Sequence, residues 1–178
     1  MTMESRMSTR IVNLADLDVQ PVSPAHAPKG PNAALYDGRR AEIASRIGAR
    51  QLGCNLTALA PGKRACPFHS HRAEEEMFVI LEGSGELRYG DQRLPIRTGD
   101  IIACPTGGPE TAHQIINTGA TEMRYLAIST IAPAEVCEYP DSGKFGAFVD
   151  NTPDMGNVPA RFRHIGRRDD ACDYWEGE

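Results

Sequence analysis

From Leu52 onward the chain alternates short apolar stretches with turn-forming residues. LGCNLTALA runs into Pro61-Gly62, MFVIL into Gly83-Ser84-Gly85, and ELRY into Gly90-Asp91. RLPI then meets Thr98-Gly99-Asp100, IIAC meets Pro105 to Pro109, HQII meets Asn117-Thr118-Gly119, and TEMRYLAISTI closes the series. None of these stretches has the length of an ordinary helix, and several are β-branched or aromatic. Strands at this spacing predict an antiparallel sandwich or barrel. Nothing between them reads as a crossover helix, which argues against a doubly wound parallel sheet.

The flanks read differently. Residues 1–31 carry Pro21, Pro24, Pro28 and Pro31 and little periodicity, so an extended arm is expected there. Residues 32–50 suit a short helix around Arg40 to Ile47 or an edge strand. After Pro133 only short apolar pieces such as Phe145 to Val149 remain, which predicts an irregular C-terminal tail. Its sole tryptophan, Trp175, is expected to anchor onto the barrel or a partner. The chain thus divides into an arm (residues 1–50), a β core (51–132) and an extension (133–178).

Composition narrows the function classes. With 178 residues, 40% hydrophobic and 24% charged, the chain suits one domain with a real core. A net charge of −5 disfavours general binding to nucleic acid or anionic membranes, which needs a positive field. The basic cluster Arg161, Arg163, Arg167 and Arg168 runs straight into Asp169 and Asp170 and reads as a solvated tail. No signal-type apolar stretch occupies the first twenty residues, and Met77 to Leu81 falls far short of the roughly 20 residues of a membrane helix. A cytoplasmic protein is expected. Cys54, Cys66, Cys104, Cys137 and Cys172 are scattered and lack a C-x-x-C pair, which fits free thiols rather than a disulfide framework or zinc ribbon.

The chemistry concentrates in three histidines and an acidic run. His69 and His71 are two apart, so on an extended strand both imidazoles leave the same face. Glu74, Glu75 and Glu76 follow, at the start of MFVIL, and His113 heads a later strand. Three imidazoles and a carboxylate form a donor set for Fe, Mn, Ni, Co or Zn as divalent ions, with positions left open for water or substrate. Glu75 and Glu76 point to opposite faces of a strand, so only one of them joins the histidines.

Glycine and proline punctuation frames these residues in two blocks. Gly62, His69, His71, Glu76 and Gly83 form the first; Gly99, Pro105, Gly107, His113 and Asn117 form the second. Together they resemble the two motifs of the cupin superfamily, G-x5-H-x-H-x3–4-E-x6-G and G-x5-P-x-G-x2-H-x3-N, over roughly residues 52–131. Two departures stand out: six residues rather than five separate Gly62 from His69, and Gly108 to Ala112 put five residues where the pattern has two. That longer loop puts the position of His113 in question.

The resemblance implies a cupin-type antiparallel β-barrel (double-stranded β-helix, or jelly roll) with a divalent transition metal held by His69, His71, Glu76 and His113. Glu76 has the family spacing, Glu75 is the alternative, and Glu74 is expected in solvent. It further implies a small polar or carbohydrate-like substrate, with sugar-phosphate isomerases and epimerases the leading relatives. An Fe(II)-dependent dioxygenase and a non-catalytic binding protein are the alternatives. Glu110, three residues before His113, is the candidate for proton transfer or for accepting a hydrogen bond from His113. Lys63, Arg64 and Arg72 flank the ligand pair as candidate partners of a phosphate. Cys66, Cys104 and Tyr125 read as core residues, and Glu138 to Ser142 as a segment able to close over the mouth. A core of this size leaves its sheets in need of cover, so a homodimer with a contribution from residues 1–50 is expected.

Overall fold

The computed structural model describes residues 10–23, 27–149 and 162–178. Pro24 and Arg161 therefore lie outside the described residues. Nearly all regular structure is strand: β1 (Gln20–Pro21), β2 (Gly38–Glu42), β3 (Leu52–Leu59), β4 (Ser70–His71), β5 (Glu76–Glu82), β6 (Ser84–Tyr89) and β7 (Gln92–Arg97). After these come β8 (Ile101–Cys104), β9 (His113–Ile116), β10 (Met123–Thr130), β11 (Ala134–Tyr139), β12 (Lys144–Val149) and β13 (Phe162–Arg167). One helical turn, α1 (Ala44–Ile47), follows β2. Residues 32–50 thus hold a strand and then a helical turn, but β2 is not the expected edge strand, since it lies between β1 and β3, and the helix covers only the second half of the span from Arg40 to Ile47. Among the described residues no helix is long and apolar enough to cross a membrane.

The strands pair antiparallel in three sheets, in the orders β1-β2-β3-β10-β5-β8, β13-β12-β11-β4 and β7-β6-β9. The expected barrel does not close through hydrogen bonding among the described residues. Among the described residues the two smaller sheets meet at one isolated bridge, His69 with His113, while Arg64, outside the named strands, bridges both Tyr36 and Ile116. β4 is two residues long, too short to carry a continuous ladder across that seam.

Burial explains why these segments are strands. The interior cluster draws Leu59 from β3, Phe78 and Ile80 from β5, Leu87 from β6, Ile96 from β7, Ile115 from β9, and Met123 and Tyr125 from β10. A second cluster lies on the other face of the large sheet, where Leu17, Ala41, Ile43 and Leu56 pack with Val12, Leu14, Val19, Leu81 and Leu126. The arm residues therefore cover the outer face of their own sheet. β5 buries Phe78 and Ile80 on its inner face and partly covers Val79 and Leu81 on its outer one, which accounts for most of the run MFVIL, while Met77 is exposed. Two turns depend on glycine: Gly83, between β5 and β6, and Gly99, between β7 and β8, have φ of 83° and 94°. At Gly83 a Cβ would also lie 2.9 Å from the Glu122 carbonyl oxygen.

The region after Pro133 differs most from expectation. Instead of an irregular tail it supplies β11, β12 and β13, with β11 pairing beside β4 through Cys137 opposite His71 and Glu138 opposite Ser70. β11 reads AEVCEY, and its buried acids, Glu135 and Glu138, hide the apolar alternation that marks a strand. Trp175 does not anchor onto the sheets of its own chain: it is 72% exposed and packs edge-on against Tyr174. Nor is the basic cluster simply solvated, since Arg168 pairs with Glu138 and Arg167 donates to the Ser142 carbonyl.

Candidate metal centre

Strand parity brings the ligand-type residues together. On β5, Phe78 and Ile80 face the interior, so Glu76, two residues before Phe78, faces it too, while Glu75 is exposed. Glu75 donates its backbone N–H to Thr130 Oγ1. Across the seam, His69 and His113 exchange backbone hydrogen bonds, His113 N to His69 O at 2.8 Å and His69 N to His113 O at 3.2 Å. That exchange fixes the two histidines opposite one another. The longer loop does not displace His113: its extra residues curl into a 3-10 turn, Pro109–Thr111.

All four side chains converge on one carboxylate oxygen. Oε2 of Glu76 lies 2.8 Å from Nε2 of His113, 3.3 Å from Nε2 of His71 and 3.7 Å from Nε2 of His69. One ligand atom from each residue can be chosen so that all lie within 4.8 Å of one another. Imidazole binds first-row metals at about 2.0–2.1 Å, so adjacent ligand atoms on one ion stand about 3.0–3.4 Å apart. The observed spacings bracket that range. Nε2 of His71 is also buried and makes no well-formed hydrogen bond, its neighbour being Glu76 Oε2 at 3.3 Å. The residues present fit a metal ion.

Electrostatics act on the same groups. Burial opposes charge on Glu76, yet His113, His71 and His69 outweigh it and hold the carboxyl well below the usual carboxylate range. At His69 burial dominates and lowers the pKa. At His71 burial also disfavours the cation, but Cys137 and Glu76 more than compensate and raise it.

Behind the cluster stands a supporting layer that the sequence reading passed over. Cys137 Sγ is 3.3 Å from His71 Nδ1, and Glu135 Oε1 is 3.8 Å from the same nitrogen. His71, Glu135 and Cys137 form a second group with metal-ligand chemistry. The Glu135 carboxylate is already engaged, however: Arg72 N (2.8 Å), Ala73 N (3.0 Å) and Glu74 N (2.6 Å) all donate to it. It caps the turn after the ligand strand. Tyr139 stacks on His69 with ring centroids 6.3 Å apart. The signal available in sequence was the acid and thiol alternation of AEVCEY itself, with Glu135 and Cys137 two apart and so on one face.

Other candidates take different places. Glu74, expected in solvent, is half-buried, and its Oε1 accepts the Ala132 N–H at 3.0 Å. Burial raises its pKa, with a further push from Glu135. Glu110 is exposed on the 3-10 turn, where its Oε1 accepts the Gly108 N–H at 2.8 Å. It is not the acceptor for His113, whose Nδ1 faces the Thr111 carbonyl at 3.2 Å and whose Nε2 faces Glu76. Cys66 and Cys104 stay protonated at neutral pH, since burial pushes their thiols up to about 11 and about 12. Tyr125 is buried in the core, edge-on to Phe78. Asn117 is a structural residue, its Nδ2 bridging the Leu59 and Thr121 carbonyls. Glu138, from the segment expected over the mouth, is instead held between Arg72 and Arg168.

Comparison with known proteins agrees with this fold. An oxalate-binding protein of Thermotoga maritima is 37% identical over 70 residues, which are 39% of this chain and 54% of that protein. Auxin-binding protein 1 of Arabidopsis thaliana is 31% identical over 103 residues, 53% of this chain and 50% of the relative. The chain spans about half the length of these curated relatives. Among solved structures, a sugar phosphate isomerase of the cupin superfamily from Silicibacter pomeroyi superposes with a TM-score of 0.74 at 23% identity, covering 93% of this chain and 98% of that one. A candidate sugar phosphate isomerase from Acidithiobacillus ferrooxidans gives 0.61 at 28% identity, covering 70% and 80%. The cupin domain family itself matches residues 55–129, the stretch from β3 to β10 that holds all four converging side chains.

Proposed function

We propose that His69, His71, Glu76 and His113 hold a divalent transition metal (Zn, Mn, Fe, Ni or Co) and that a small polar metabolite is isomerised or epimerised there. The observation that carries this reading is the meeting of three Nε2 atoms on one carboxylate oxygen, in a pocket where His71 Nε2 has no other partner. Kinship with the Acidithiobacillus protein, at 28% identity over 80% of its length, supports the isomerase class.

A bound cation supplies Lewis acidity toward a carbonyl or vicinal hydroxyls. The chain supplies the rest. Glu76 brings the one negative charge of the donor set. Phe78 packs 5.7 Å from the His113 ring and closes the floor against water. Glu110 takes the proton α to the carbonyl: its carboxyl sits below the ordinary range because the N–H groups of Glu110 and Gly108 hydrogen-bond to it, so it is ionised at neutral pH.

Metal analysis of tag-free protein, followed by aldose–ketose interconversion assays without oxygen, tests this. The expected result is about one equivalent of metal per chain and anaerobic turnover, with Glu110→Gln keeping the metal and losing turnover. Less than about a tenth of an equivalent in folded protein defeats the metal site. Substrate-dependent oxygen uptake would replace the isomerase with an Fe(II) dioxygenase, and tight binding without conversion would leave a binding protein.

A further inference from the structure

Two of the three basic residues that flank the ligand pair are already paired: Lys63 donates to the Ala34 carbonyl and Arg72 pairs with Glu138. Arg64 lies over the Tyr36 ring, and its Nε is buried. Arg40 differs. It is exposed on β2, and no hydrogen bond or ion pair among the described residues holds its guanidinium, whereas its neighbour Arg39 is bound to Glu122 at 2.6 Å.

Register fixes the direction of its side chain. Arg40 stands opposite Thr57, Thr57 opposite Tyr125, and Tyr125 opposite Ile80. Residues directly opposite in a sheet share a face. Tyr125 and Ile80 belong to the interior cluster, while Ala41, the next residue on β2, packs in the outer one. The Arg40 side chain therefore leaves β2 on the interior side of the sheet. The chain entering β2 runs parallel to the segment that leads to His69: Tyr36 bridges Arg64, Asp37 N donates to the Arg64 carbonyl at 3.2 Å, and a Cβ on Gly38 would lie 2.9 Å from Ala65 Cα. β2 thus lies on the His69 side of the cluster, and the planar fork of Arg40 suits an oxyanion.

We propose that Arg40 binds the anionic substituent, a carboxylate or a phosphate, of the ligand held at the His69, His71, Glu76 and His113 cluster, and so selects anionic over neutral ligands. This rests on the metal-site reading above. Charge-assisted pairing of this kind gives affinity to the anion without contributing to the grip on the metal.

Mn(II)-loaded wild type, Arg40→Gln and Arg40→Lys are compared by calorimetric titration with oxalate, inorganic phosphate and glycerol. Manganese affinity is measured separately in all three proteins. The expected result is equal manganese affinity, a loss of about tenfold or more for at least one anion in Arg40→Gln, substantial recovery in Arg40→Lys, and no change for glycerol. The anion that suffers the larger loss identifies a carboxylate or phosphate preference. Equal anion binding by wild type and Arg40→Gln overturns the inference, as does a manganese-loaded wild type that binds neither anion; in both cases the metal site stands. Failure of the wild type to take up metal removes the metal-site reading and this inference with it. Melting curves check folding, and Arg40→Met replaces Arg40→Gln if the latter is unstable.

Discussion

The thiol of Cys137 stands 3.3 Å from Nδ1 of His71, on the opposite side of the ring from Glu76. When Nε2 faces a metal, Nδ1 carries the proton and needs an acceptor. Partners of this kind fix the tautomer and the ring orientation, and their loss commonly weakens metal binding by about 10–100-fold. Cys137→Val should weaken binding by that amount in a competition titration, and Cys137→Ser by much less. Because the sulfur faces Nδ1 rather than the cluster, cobalt-loaded protein should show no thiolate charge-transfer band. A band present in the wild type and lost in Cys137→Ser would make Cys137 a direct ligand.

Glu135 invites a separate test, on stability. Its carboxylate, 5% exposed, accepts three consecutive backbone N–H groups after the ligand strand. Arg72 N–H keeps the Val136 carbonyl at 3.0 Å, but removing the carboxylate leaves the N–H groups of Ala73 and Glu74 without their acceptor, at about 1–3 kcal/mol for each one that stays dry. Glu135→Ala should therefore cost about 2 kcal/mol or more by denaturant unfolding of metal-free protein. A loss within about 0.5 kcal/mol would mean that water replaces the carboxylate.

How much of this was legible beforehand follows from which residues obey simple periodicities. The H-x-H pair and the Glu76-to-Phe78 parity are local, and the sequence pattern brings them to one face without knowledge of the rest. His113 needed the seam, because its place depends on backbone pairing with His69 across 44 residues. β11 was hidden because two of its buried side chains are acids, Glu135 on the Cys137 face and Glu138 on the other, so no apolar alternation shows; only the N–H groups of residues 72–74 and the Arg72 and Arg168 guanidiniums explain them. The free guanidinium of Arg40 was equally invisible, since its neighbours come from a register that links β2 to β3 and β10.

Acid–base linkage gives a further expectation, with opposite signs for the metal-free and metal-loaded protein. In the metal-free protein Glu76 is shifted down, so its contribution is present above its ordinary value of 4.5 and is lost as pH falls through the folded value. His71 is shifted up, so its contribution is present below its ordinary value of 6.5 and is lost as pH rises through the folded value. Metal-free protein should thus be most stable between these two values and weaken above pH 6.5. Metal binding displaces the imidazole protons, so affinity should rise over that same alkaline range. Thermal melts with and without metal across pH 4–9 would show the two curves diverging, and parallel curves would separate the ion from these residues.

Glu75 and Glu76 are adjacent in sequence and opposite in role. The first is exposed; the second presents its Oε2 to three imidazoles within 3.7 Å. Glutamine at position 76 keeps the volume but removes the only negative charge among the four converging groups, leaving three neutral donors to compensate a divalent cation. Glu76→Gln should lower metal affinity by at least about 100-fold, whereas Glu75→Gln should change it by less than about twofold. Without metal, Glu76→Gln also deprives His113 and His71 of their carboxylate, so its own stability should lose the acid-side dependence described for the wild type and keep only the part of the alkaline side that Cys137 supports. Equal metal loss in both variants would mean that the carboxylates act through general surface charge, and the parity of β5 would no longer explain which acid belongs to the site.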